Sequence, residues 1–121
     1  MLYRDFEPVA VLDWEMATVG PREVDVAWMV FLHRFFQDLA VRFEMPGLPD
    51  FMTPEVVSAT YENLTGYTPE NLAWYEVFGA LRFAIVSVRT STRSMAYGQM
   101  ERPDDPDDLI MFRTLLDGMI A

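Results

Sequence analysis

Val9-Ala-Val-Leu-Asp-Trp-Glu-Met-Ala-Thr-Val-Gly-Pro-Arg-Glu-Val-Asp-Val-Ala-Trp28 is the stretch around which the chain can be read. Val9 to Leu12 is a short apolar run that reads as a buried strand. It delivers two carboxylates, Asp13 and Glu15, at its C-terminal end. Gly20-Pro21 marks a turn, and a third acid, Asp25, stands just inside a long amphipathic helix. A strand that ends in acids and passes through a tight loop into a helix is a common way to hold a metal–phosphate site.

Upstream, Leu2 to Arg4 and Val9 to Leu12 are separated by Asp5-Phe6-Glu7-Pro8, which reads as a hairpin connection. Two strands alone are marginal in water, so the hairpin has to lean on something else. Downstream, Val24, Trp28, Phe31, Phe35 and Leu39 recur at helical spacing, widened by Ala27, Leu32, Phe36 and Phe43. This helix is expected to run to Phe43 or Glu44, stopped by Pro46-Gly47. Thr53-Pro54-Glu55 predicts an N-cap and first turn, and Gly66 the residue after that helix's C-cap. Thr68-Pro69-Glu70 repeats the start signal for a helix carrying Leu72, Trp74, Tyr75, Phe78, Leu81, Ile85 and Val88. Being apolar on most of its circumference, it is expected to be the most buried element. Asp105 is expected to cap a last helix from Pro106, with Leu109, Ile110, Phe112, Leu115, Leu116 and Met119 inward. The fold class is therefore mainly α with a short N-terminal β-hairpin: a hairpin and metal-loop segment over 1–20, then a helical part over 21–121.

The 121 residues suffice for one domain or part of one, and 51% hydrophobic content excludes disorder. A formal net charge of −10 argues against a nucleic-acid partner, since there is no basic stripe to neutralise phosphates. Acidity keeps a chain soluble, and less directly would suit a cationic ligand. With no cysteine, disulfides and thiolate metal sites are excluded. Leu72 to Val88, the most apolar stretch, is interrupted by Glu76 and Arg82, which suits a packed helix better than a membrane span. The N-terminus has neither the basic nor the apolar region of a signal peptide.

Asp13, held directly after a strand, has the placement of a Mg²⁺ ligand, because that ion takes one or two carboxylates plus substrate phosphates. Aspartate is equally a good turn former, and on spacing alone the turn reading has the edge. Glu15 could share the ion or bond the loop. Asp25, flanked by Val24 and Val26, reads as a buried carboxylate needing backbone N–H donors, or as a first-turn acid in the helix dipole. These two stand level. His33, the single histidine, has no carboxylate at i±3 or i±4 and reads as a packing residue. No nucleophile elbow or glycine-rich phosphate loop occurs. Arg82, Arg89 and Arg93 are spaced to present three guanidiniums on one face, where snorkelling surface arginines or pairs to carboxylates are simpler expectations than an anion site.

The string from Val9 to Trp28 resembles the metal-binding segment of the aminoglycoside phosphotransferase family. It is most similar to the branch containing bacterial phosphotransferases and the kinase-like domains linked to acyl-CoA dehydrogenases. The long helix, the Leu48-Pro49 loop with Thr53-Pro54, and Tyr61-Glu-Asn-Leu-Thr-Gly66 fit that branch as well. The resemblance implies part of a protein-kinase-like C-lobe, with Asp13 as Mg²⁺ ligand, Glu15 helping with the ion or its loop, and Asp25 bracing the catalytic loop. It implies ATP and Mg²⁺ as cofactors, a small-molecule hydroxyl as acceptor and a cytoplasmic location. The family's nucleotide lobe and His-Gly-Asp catalytic loop have no counterpart here. The Asn that follows that loop would stand just before Leu2, so Met1 is expected to be an internal methionine or a fragment boundary. Such a chain should be inactive alone, bind ATP and Mg²⁺ only weakly, and expose apolar surface that favours a homodimer. The alternative is a non-catalytic helical interaction module.

Overall fold

Two strands and four helices make up the fold, with the strands at the N-terminus and the helices in one packed group. The computed structural model describes residues 1–121, apart from the side chain of Met16. Strands β1 (Leu2–Arg4) and β2 (Glu7–Ala10) pair antiparallel through Arg4↔Glu7, Tyr3↔Pro8 and Leu2↔Ala10, which leaves Val9 as an extra, bulged residue. Asp5 and Phe6 close the hairpin with φ of 51° and 66°, the positive values that a two-residue turn matched to strand twist requires. The second strand is not buried, contrary to expectation: Val9, Val11 and Leu12 are each 52% exposed. The sheet is this two-stranded hairpin, and no helix among the described residues packs extensively on its faces.

Helix α1 (Glu23–Arg42) is the centre of the molecule. One side of it, Ala27, Phe31 and Phe35, packs on α3 (Leu72–Ala96), with Trp28 flanking. A second side, Val26 and Val30, packs on Val57 of α2 (Pro54–Thr65), with Met52, Tyr61 and Leu72 around it. Branched residues on one face and aromatics on the other let α1 serve two neighbours at once. Phe36 and Phe43, expected inward, are exposed. They lie off both packed faces.

Helix α3 is therefore not the most buried element. Its fully buried residues are small or polar, Glu76, Gly79, Ala80, Ala84 and Ser87, with Phe83 the one aromatic packed inward beside them, while Trp74, Leu81 and Ile85 face solvent. Small residues let the α1 aromatics sit close against the α3 backbone. A Cβ added at Gly79 would stand 3.4 Å from the Trp28 ring. Glu76 takes a two-point ion pair from Arg34, at 2.6 and 3.2 Å, which satisfies a carboxylate only 5% exposed.

The helix ends follow local rules unevenly. Thr53 accepts from Val56 N–H and Gly66 sits at φ 72°, both as the sequence predicts. After α1 and after α3, two bonds close a Schellman cap: Met45 N–H to Ala40 O with Glu44 N–H to Val41 O, and Gln99 N–H to Ser94 O with Gly98 N–H to Met95 O. Glu44 carries a left-handed φ of 52° where the second cap has glycine. Thr68-Pro69 does not start α3, which begins at Leu72 behind a left-handed Asn71. The reason is that Thr68 Oγ1 donates back to Glu62 and Glu70 N–H donates to Glu23, so this segment is committed to tying helices together.

The C-terminal segment also departs from a single helix. Asp105 caps only a 3-10 turn, Pro106–Leu109, and α4 spans Arg113–Ile120. Between them Ser87 donates to Leu109 O at 3.0 Å and accepts from Met111 N–H at 3.1 Å, while Ser91 donates to the same carbonyl. Holding the backbone there lowers Phe112 into the core, where it is fully buried 5.5 Å from Phe31 and 5.4 Å from Phe83, ring centre to ring centre. Ile110, Leu115, Leu116 and Met119 pack around it as the sequence predicts.

Ser87→Ala should lower stability by about 1 kcal/mol, because Met111 N–H loses its partner and Leu109 O keeps only Ser91, while helix propensity returns a few tenths. Urea unfolding reads this directly. An unchanged midpoint would mean that the C-terminal segment is held by Phe112 alone.

Candidate functional site

The site segment begins where β2 ends. After Ala10 the chain runs without regular structure to Asp13, whose φ of 76° and ψ of 48° turn it sharply into a 3-10 turn, Trp14–Met16. Aspartate tolerates this left-handed conformation better than most residues. Trp14 stabilises the turn from outside it, its indole N–H donating to Val11 O at 2.7 Å, and Ala17 N–H closes onto Trp14 O. The turn reading of Asp13 is thus a feature of the molecule. It does not compete with a ligand role, because the Asp13 side chain caps nothing and is exposed.

Glu15 is exposed on that turn, two residues further on. Among the described residues no three His, Asp or Glu side chains converge to cage a metal ion. Any divalent cation here would take one or two carboxylates and draw its other ligands from water or phosphate, which is the way Mg²⁺ is commonly held. The segment carries no glycine-rich loop, and the cationic side chains of the sequence are all arginines.

Asp25 is exposed in the first turn of α1, so of its two readings the first-turn acid holds and the buried carboxylate does not. The acid buried at the start of α1 is Glu23, 5% exposed. It accepts from the Tyr67 hydroxyl at 2.6 Å and from Glu70 N–H at 3.4 Å, while the Arg22 guanidinium lies 4.2 Å above the Tyr67 ring. Helical spacing carried the signal: Glu23, Ala27 and Val30 share one face, whereas Asp25, Met29 and Phe36 share the outer one. Glu23 therefore braces a connection within this chain, between α2 and α3. Asp25 points away from it.

The Tyr67 hydroxyl is the main cause holding the Glu23 carboxyl below its ordinary 4.5, with backbone N–H groups and Arg22 adding to it. The same bond raises the Tyr67 phenol above its ordinary 10.0. His33 packs as expected: its Nε2 meets Leu48 O at 2.8 Å, and Gln37 Oε1 accepts from Leu48 N–H at 2.8 Å. Together they pin the loop after α1. A Cβ at Gly47 would crowd that Gln37 oxygen, so a larger residue there would have to displace the Gln37 amide from Leu48.

Arg82, Arg89 and Arg93 are all exposed on α3, and among the described residues none meets a carboxylate. Of the two simple expectations, solvated surface arginines hold and carboxylate pairing does not. No protein-family model matches the chain.

The Glu23–Tyr67 bond sets a pH dependence with a definite sign. Because the folded carboxyl is depressed, its contribution is complete above 4.5 and is lost as pH falls through the lower folded value. Because the phenol is raised, its contribution is complete below 10.0 and is lost as pH rises through the higher folded value. Tyr67→Phe should lower stability at neutral pH and make its acid-side decline shallower than in the parent chain. Parallel declines from pH 7 to pH 3 in urea titrations would contradict this.

Proposed function

We propose that the chain supplies the metal-binding segment and the helical lobe of an ATP-dependent phosphotransferase resembling the aminoglycoside phosphotransferases, acting on the hydroxyl of a small molecule. The observation that supports this reading most is Asp13: a carboxylate three residues beyond the second hairpin strand, on a sharply turned backbone, exposed and capping nothing. Asp13 would ligate Mg²⁺ and Glu15 would share the ion or steady the turn. Mg²⁺, when bound with ATP, neutralises phosphate charge during transfer. Asp25, exposed on the first turn of α1, can accept N–H groups from a catalytic loop laid across that face.

In this reading the catalytic base and the glycine-rich loop and lysine that hold the nucleotide phosphates come from outside these residues. Phosphoryl transfer depends on positioning and electrostatics together, and Asp13 alone positions nothing. In this reading the lobe works only beside a nucleotide lobe, and use of ATP goes with a cytoplasmic setting. No helix among the described residues is long and apolar enough to cross a membrane.

A second reading, a helical interaction module or homodimer, draws support from Phe6 and Val19, which are 98% and 102% exposed near the site segment. The coding sequence upstream of Met1 separates the two: an in-frame His-Gly-Asp followed by Asn favours the enzyme.

The isolated chain with Mg²⁺, ATP and hydroxyl acceptors should give no turnover above buffer. Calorimetry should find only weak Mg²⁺ binding, of the strength of a surface carboxylate pair and lost in Asp13→Asn. Turnover abolished by Asp13→Ala, or tight ATP-dependent Mg²⁺ binding, would overturn the assignment of this chain as an incomplete lobe.

A further inference from the structure

The outer face of α3 has no role in the fold or in the proposed chemistry. Trp74, Phe78, Leu81 and Ile85 fall within an arc of about 60° and form one ridge. Trp74, Leu81 and Ile85 are 63%, 53% and 55% exposed. Trp74 and Phe78 stack at 5.6 Å with their planes 7° apart, so the N-terminal half of the ridge is pre-shaped. Along one edge of it, within about 40° of arc, stand Arg82, Arg89 and Arg93. The first lies 5.8 Å from the Phe78 ring.

The charge on this face is opposite to that of the whole molecule. The chain carries −10, yet α3 holds three outward arginines and one acid, Glu76, which is buried and paired to Arg34. Other arginines do find partners: Arg42 meets Asp38, and Arg113 gathers Asp105, Asp107, Asp108 and Asp117. An isolated basic edge beside an apolar ridge, on an otherwise acidic chain, is complementary to apolar residues flanked by acids.

We infer that the outer face of α3 docks an acidic amphipathic helix of a partner protein, its apolar stripe on the Trp74–Ile85 ridge and its carboxylates along the Arg82–Arg93 edge. A second copy of α3 fits less well. Antiparallel twofold pairing puts both arginine edges on the same side of the contact, with no acid between them. Parallel pairing sets each arginine edge against Val77, Val88 and Met95. The acids must come from a different sequence. The overall negative charge likewise opposes approach to an anionic membrane.

The inference stands apart from the phosphotransferase reading, since α3 contributes nothing to Asp13. Two labelled helical peptides of about five turns test it by fluorescence anisotropy with the whole chain. Both carry the same apolar stripe, one with glutamates along its edge and the other with lysines. The glutamate peptide should bind in the micromolar range and the lysine peptide roughly tenfold more weakly or worse. Arg82→Glu with Arg89→Glu, both exposed and outside the core, should leave helicity unchanged and reverse the preference. Equal binding of the two peptides, or no reversal, would overturn the inference. So would capture of phosphatidylserine-rich vesicles without peptide binding, or a dimer in sedimentation that Leu81→Asp abolishes.

Discussion

The packing of α1 between two neighbours is the constraint on which the structure depends. Phe31 and Phe35 pack on Ala80, Ala84 and the Phe83 ring of α3, and Gly79 leaves room for Trp28 beside them. That pairing leaves a space closed only when Phe112 arrives from the C-terminal segment, fully buried against Phe31 and Phe83. Ser87 places Phe112 by holding the backbone on either side of it. On the opposite side, Val26 and Val30 hold α2. Glu23, through Tyr67 and Glu70, ties the α2–α3 connection back to the same helix.

The architecture and the site segment divide accordingly. Helices α2 and α3 are joined to α1 by buried valines, aromatics and a buried carboxylate, and the C-terminal segment is joined to α3 by serines and to α1 by Phe112. The first twenty residues contribute nothing to that core, and their apolar side chains at Val9, Val11, Leu12 and Trp14 are exposed. A metal ligand on such a segment is held by its local turn alone, with Trp14 bonded to Val11. Precise positioning of phosphate would require that surface to be covered, which is why the proposed chemistry belongs to a larger assembly of elements than this chain holds.

Much of this was legible in the sequence. The hairpin, α1, the Thr53 cap, Gly66 and the inward set around Phe112 follow from periodicity and turn chemistry. The misreadings share one physical cause: local pattern does not say which apolar face has a partner. Val9–Leu12 and the Trp74–Ile85 ridge are apolar enough to be core, yet α1 is already occupied by small residues and by Phe112. Thr68-Pro69 has the composition of a cap but is spent on Glu62 and Glu23. Asp25 and Glu23 differ by two residues, which on a helix is the difference between the outer and the inner face. At the site, Asp13 and Glu15 were read from the strand that precedes them, and their exposure and the left-handed turn required the structure.

The functional claim rests on where a divalent ion goes. Trace Mn²⁺ added to ¹⁵N-labelled chain should broaden amide resonances around Asp13 to Glu15 first, and Asp13→Asn should remove that effect while leaving other resonances in place. Broadening confined to the acidic stretch from Glu101 to Asp108, with the Asp13 turn unaffected, would contradict the account.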